Sequence, residues 1–188
     1  MNIPNILTLL RILLVPLAVW LMISDAFRTA FAVLLVAGAT DAIDGYLAKR
    51  HGWTTELGAY LDPLADKLLL VSSFVTLGLR ALLPAWLVIL VVSRDVMIVA
   101  AILLSAVIGD TIEMRPLAVS KLNTVAQIGL VLLVVADSGF GMQWAALREI
   151  AIYVTALLTA LSAAAYLWQW FLRMTGGQPP ADGRLGRP

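Results

Sequence analysis

Apolar residues run through the chain in six long blocks, at about 5–24, 28–48, 58–79, 83–108, 118–137 and 145–172, parted by short polar or helix-breaking stretches. Each block is long enough to cross ~30 Å of hydrocarbon as a helix. The pattern therefore predicts an all-α polytopic membrane protein with six transmembrane helices in one bundle. Ser24-Asp25 closes the first block and Lys49-Arg50-His51-Gly52 the second; Pro84 opens the fourth, and the stretch from Asp110 to Pro116 precedes the fifth. Within the first block Pro4, Asn5, Thr8 and Arg11 make a polar stripe, which predicts an N-terminal interfacial segment that becomes a span near Pro16. No basic leader precedes this apolar stretch and no small-residue cleavage pattern follows it, so it reads as a retained helix. Residues 1–175 then form one membrane domain, and the Gly/Pro-rich stretch 176–188 reads as a disordered cytoplasmic tail.

Composition agrees with a membrane solvent. The 188 residues are 61% hydrophobic and only 13% charged, and the mean hydropathy is +0.94. A soluble domain would need more charge to clothe its surface. The net charge of +1 is spread along the chain, which excludes the basic stripe of a nucleic-acid-binding protein. Cysteine is absent and histidine occurs once, at His51, so thiolate zinc sites, disulfides and thiol nucleophiles are excluded. With the N-terminus inside, Arg11, Lys49, Arg50, Arg115, Lys121, Arg173, Arg184 and Arg187 fall on the cytoplasmic side. Arg28, Arg80 and Arg148 fall outside, an imbalance that orients the bundle. Lys67 and Arg94 lie too deep in their spans to enter either loop tally.

The chemistry concentrates in the second and third blocks, where Asp41, Asp44, Asp62 and Asp66 interrupt apolar sequence. Residues three or four apart share a helix face, so Asp41 with Asp44, and Asp62 with Asp66, each present a carboxylate pair in one direction. A short loop between the blocks makes the two helices antiparallel neighbours. An aspartate at membrane depth costs ~2.5–3.5 kcal/mol on insertion scales, and converging like charges add repulsion. Cations or protons must offset that cost. An all-oxygen donor set without His or Cys points to magnesium, manganese or calcium, as one ion or a bridged pair, with a diphosphate substrate completing the shell. Gly45, Ala48 and Gly58 let a ligand or helix approach the backbone closely. Plainer readings stand beside these. Lys49 serves equally as a positive-inside anchor, Asn5, Thr8 and Arg11 as an interfacial anchor, and Arg94 with Asp95 as a structural ion pair.

The order Asp41-x-x-Asp44-Gly45-x-x-Ala48-Lys49, then Gly58-x-x-x-Asp62-x-x-x-Asp66, resembles the signature of the CDP-alcohol phosphatidyltransferases. Lys49 stands where that family usually has arginine, keeping the charge but losing bidentate phosphate geometry. The opening NIPNILTLLRILLVP and the six-block plan are also similar. The resemblance implies a phosphatidyl transfer from CDP-diacylglycerol to an alcohol with release of CMP. It implies Asp41, Asp44, Asp62 and Asp66 as ligands of Mg2+ or Mn2+, two ions in all, with Asp66 also the catalytic base. Gly45, Ala48, Lys49, Gly58, Asn5 and Thr8 would meet the CDP moiety. Arg94, Arg115 and Lys121 are candidates for the acceptor's phosphate.

Two further segments, Ser93-Arg94-Asp95-Val96-Met97 and Arg115-Pro116-Leu-Ala-Val-Ser120-Lys121-Leu-Asn123-Thr124, resemble the CMP-forming cardiolipin synthase branch. That branch implies phosphatidylglycerol as acceptor; the alternative, phosphatidylglycerophosphate synthesis, uses glycerol 3-phosphate. Expected partners are these substrates, membrane lipids and a second copy of the chain, with no nucleic acid, and the expected location is a bacterial inner membrane with both termini cytoplasmic. The reading from another class is a divalent-cation channel or carrier, for which the basic residues beside the carboxylates have no use. A scaffold that has lost activity is the third.

Overall fold

The computed structural model describes residues 3–51, 56–108 and 118–174, with side chains for 9–40, 65–100, 119–168 and 171. Six helices follow one another: α1 (Ile3–Ile23), α2 (Phe27–His51), α3 (Glu56–Leu79), α4 (Ala85–Ile108), α5 (Ala118–Phe140) and α6 (Ala145–Met174). No strand occurs among the described residues. Each helix coincides with one apolar block, and the connections have identifiable causes. Asp25 (φ 61°) and Ala81 (φ 55°) adopt the left-handed conformation just past α1 and α3. Ala26 N then donates to Leu21 O and Leu82 N to Leu77 O, each at 2.9 Å, which satisfies terminal carbonyls. Pro84 precedes α4, where its missing N–H costs nothing, and its carbonyl accepts from Leu87 N at 3.0 Å.

Two expectations shift. The fifth helix runs to Phe140 rather than 137, because Gly141 (φ 67°) supplies the left-handed stop. Asp137 stays inside the helix, and its Oδ1 accepts from Trp144 N at 2.9 Å across the following turn. The first helix passes through the exposed Pro16 as one helix, with no break where the interfacial segment was expected to end.

The helices close into a ring in the order α1, α2, α5, α6, α4, α3, with α3 also touching α5 across the middle. The crossing contact divides the ring into two four-helix compartments that share α3 and α5. An apolar core of Met22, Leu34, Phe74, Leu77, Leu87, Val131 and Val135 fills much of the interior. At one end the three turns gather. There Arg28 Nε donates to Gly139 O at 2.8 Å, Arg80 pairs with Asp25, and Arg148 lies 3.9 Å from Asp137. These are the three basic residues assigned to the outer side.

The surface is apolar: Leu13, Trp20, Ile89, Val96, Val125 and Leu157 are each more than 60% exposed. Buried positions include Arg11, Arg94, Asp95, Asn123, Gln127, Thr155, Thr159 and Ser162. Polar groups turned inward and large apolar groups outward suit a lipid solvent. By length and composition two stretches, Val119–Phe140 and Ala145–Trp168, are sufficient to cross a membrane among the described residues; Leu9–Ile23 and Phe27–Thr40 are apolar portions of the longer helices α1 and α2. Charged side chains within α3 and α4, among them Asp66, Lys67, Arg94 and Asp95, interrupt their apolar length.

Candidate active site

The site is built where α3 carries Asp66 and Lys67 into the interior. Arg11 of α1 is almost wholly buried, 1% exposed, and its Nη1 donates to Asp66 Oδ1 at 2.7 Å. The Asp66 side chain is 44% exposed and opens on a cavity of about 300 Å3 between α1, α2, α3 and α5. Arg11, Asp66, Lys67, Ser73, Thr124 and Gln127 form its polar lining, and Leu34, Leu69, Leu70 and Val131 are among its apolar walls. A carboxylate in this setting combines a fixed orientation, supplied by a guanidinium, with access to a ligand in the cavity.

Behind Lys67, in the second compartment, lies a network of buried charges. Lys67 Nζ is 2.8 Å from Asp95 Oδ1, and Arg94 Nη1 donates to the same oxygen at 2.6 Å. Arg94 Nη2 donates to Ser120 Oγ at 2.6 Å and Ser162 Oγ at 2.7 Å. Its guanidinium also lies over the Tyr166 ring, 5.7 Å from the centroid. One turn further along, Thr159 donates to Asn123 Oδ1 at 2.8 Å, and Gln127 Nε2 reaches Thr159 Oγ1 at 3.5 Å. This polar seam between α5 and α6 leads back to the cavity through Gln127.

The structure thus brings Asp66 to the cavity and places Arg94 in the buried network, with its donors directed to Asp95, Ser120 and Ser162. Lys121 is exposed on α5, one turn before the cavity-lining Thr124. The side chains of Asn5, Thr8, Asp41, Asp44, Lys49 and Asp62, and the surroundings of Gly45, Ala48 and Gly58, lie outside the described residues. So do Arg115 and the tail 176–188. Among the described residues no three acidic or imidazole groups converge on a metal site. Asp41 and Asp44 do lie on the continuous helix α2, and Asp62 and Asp66 on α3. An all-carboxylate donor set of this kind fits a hard divalent cation.

Sequence reasoning missed the Lys67–Asp95 pair and the cavity positions Thr124 and Gln127. A signal was present. Ser120, Asn123 and Gln127 on α5, and Thr155, Thr159 and Ser162 on α6, recur at helical spacing in otherwise apolar sequence.

Comparison with known proteins settles the family. The CDP-alcohol phosphatidyltransferase family model matches residues 1–171, almost the whole chain. The chain belongs to the CDP-alcohol phosphatidyltransferase family. Among its relatives, the human cardiolipin synthase (CMP-forming) is 35% identical over 183 residues, covering 88% of this chain and 60% of the relative. The CDP-diacylglycerol–glycerol-3-phosphate 3-phosphatidyltransferase of Bacillus subtilis (strain 168) is 30% identical over 186 residues, covering 90% of this chain and 93% of the relative. A probable phosphatidylglycerophosphate synthase of Mycobacterium tuberculosis (strain CDC 1551 / Oshkosh) is 39% identical over 100 residues, 50% of this chain and 48% of the relative. The chain spans 60% of the length of the human and rat relatives. Members of this phosphatidyltransferase family are generally dependent on divalent cations. Its substrates are CDP-alcohol donors and alcohol acceptors.

Proposed function

We propose that this chain is an integral membrane phosphatidyltransferase that moves a phosphatidyl group from CDP-diacylglycerol to phosphatidylglycerol, forming cardiolipin and CMP. The observation that carries the reading is Asp66, last of the four spaced aspartates, held by Arg11 at the edge of a cavity between four helices. The relatives named cardiolipin synthase support the acceptor.

In this reading the acceptor hydroxyl lies in the cavity against Asp66. Its oxygen attacks the diacylglycerol-bearing phosphorus of the donor while its proton passes to an Asp66 carboxylate oxygen. The phosphoanhydride bond breaks, and CMP leaves with the electron pair. Arg11 orients the Asp66 carboxylate by its charge-assisted hydrogen bond. Asp41, Asp44, Asp62 and Asp66 would hold two Mg2+ or Mn2+ ions, which supply charge neutralisation of the diphosphate and of the leaving group. Gly45, Ala48, Lys49, Gly58, Asn5 and Thr8 would border the CDP moiety, and Arg115 and Lys121 the acceptor's phosphate. All six helices lie across a bacterial inner membrane, with α1 entering from the interface and both termini cytoplasmic. The gathering of Arg28, Arg80 and Arg148 at one end supports that orientation. The exposed apolar faces suit lipid and a second copy of the chain.

A second reading has its own support. The Bacillus relative is matched over 93% of its length and is named for transfer to glycerol 3-phosphate. Purified protein given CDP-diacylglycerol with each acceptor in turn decides between them. CMP release with phosphatidylglycerol and appearance of cardiolipin are expected. Turnover with glycerol 3-phosphate alone transfers the reading to phosphatidylglycerophosphate synthesis, and CMP release with neither acceptor overturns both.

A further inference from the structure

Lys67 is the residue that joins the two compartments. It follows Asp66 on α3, lines the cavity beside it, and also lines a groove between α3 and α4 that contains Asp95. An ammonium on a four-carbon stem, part-way along a helix in apolar surroundings, tends to extend toward the nearest water rather than stay at depth. Here it is tethered. Lys67 Nζ is 2.8 Å from Asp95 Oδ1, and the Asp95 side chain is only 4% exposed.

That tether by itself would cancel the lysine's charge, and Arg94 changes the balance. Its Nη1 donates to the same Asp95 oxygen at 2.6 Å, and its side chain is 2% exposed. Two cations on one carboxylate leave a net charge of +1. Arg94 is held by Ser120 on α5 and Ser162 on α6, so its position is set by three helices. Asp95 Oδ2 has no partner among the described residues, so both cations are served by a single oxygen. Lys67 therefore retains positive field and two further N–H donors, and the residue lines the cavity.

We propose that Arg94 and Asp95 are positioning residues that hold the Lys67 ammonium beside Asp66, where it binds an anionic phosphate oxygen of a phospholipid substrate. The assignment deepens the transferase reading above and rests on it. It takes Arg94 out of direct contact with the acceptor and makes Lys67 the cavity-facing cation in its place. The phosphate belongs either to the acceptor or to the donor, and kinetics distinguish the two.

The test is steady-state CMP release by full-length protein in mixed micelles, with KM and kcat measured for each substrate in Lys67→Met, Asp95→Asn, Asp95→Glu and the Lys67→Met/Asp95→Asn double variant. Loss of one charge-assisted contact raises KM about tenfold or more, with kcat within about threefold. A rise confined to the acceptor's KM assigns the phosphate to phosphatidylglycerol, and one confined to the donor's KM assigns it to CDP-diacylglycerol. The double variant is expected to be no worse than Lys67→Met, because Asp95 acts only through the lysine. Asp95→Glu, which keeps the charge, is expected to recover part of the loss. Unchanged KM values in Lys67→Met, or single-variant losses that multiply in the double variant, overturn the proposal. Should Asp95→Asn fail to fold, Lys67→Met and Asp95→Glu still decide it, since one is partly exposed and the other retains the ion pair. Wild-type protein that releases no CMP defeats the transferase reading itself, whereas wild-type turnover with multiplying losses defeats only this assignment.

Discussion

Arg11 and Asp66, fifty-five positions apart in the chain, meet at 2.7 Å and fasten α1 to α3 at the mouth of the cavity. The guanidinium is buried while the carboxylate is reachable, so the pair orients an accessible oxygen from a sheltered anchor. Replacing Arg11 by Met removes that anchor. A misplaced reacting group costs about ten- to a hundredfold in turnover, and kcat for CMP release is expected to fall by that factor. Arg11→Lys is expected to lie between, because an ammonium lacks the guanidinium's planar fork. Wild-type kcat in Arg11→Met would disconnect the pair from the reaction.

The role given to the aspartates makes three linked expectations. Asp66→Asn lowers kcat by about a hundredfold or more, the range for loss of a general base. Chelation of divalent metal brings CMP release to background, and Mg2+ or Mn2+ restores it. Asp41→Asn and Asp62→Asn raise the metal concentration needed for half-maximal rate. Activity that survives exhaustive chelation would remove the cation from the reaction.

Gly139 sits where α5 presses on the start of α2. A Cβ built there would lie 2.9 Å from Arg28 N and 3.1 Å from the Phe27 carbonyl carbon, backbone atoms that do not swing aside. Gly139→Val is expected to cost about 1–3 kcal/mol through overpacking, read as a lower unfolding midpoint in detergent. Since this end of the bundle is remote from Asp66, turnover per folded molecule is expected to stay at the wild-type value.

Thr159 links α6 to Asn123 on α5, with both residues fully buried. Thr159→Val keeps the shape and leaves Asn123 Oδ1 without its donor, a loss of about 1–3 kcal/mol. Adding Asn123→Leu removes the orphaned amide, and the double variant is expected to regain part of that stability. A thermal melt of the two variants side by side checks the order.

Much of this architecture is legible in linear order. The number of helices among the described residues, their limits to within a few residues and the placing of Asp41 and Asp44 on one helix and Asp62 and Asp66 on the next follow from covalent spacing and apolar run length, both local properties. Pro84 marks the start of α4 in the sequence itself. Gly141 was a weaker signal, because the polar Asp137 earlier in the same helix looks like an end until its side chain is seen capping the next turn.

What tertiary structure alone decided is neighbourhood. Apart from the polar rows of α5 and α6, the helices carry no stripe that names the partner face, so most of the ring order and its division into two compartments had no local signature. The pairs that define the site, Arg11 with Asp66, Lys67 with Asp95 and Arg94 with Ser162, join residues on different helices and up to 68 positions apart. Charges buried in a low-dielectric interior must find partners wherever packing brings helices together. The identity of each partner is therefore a property of the folded bundle.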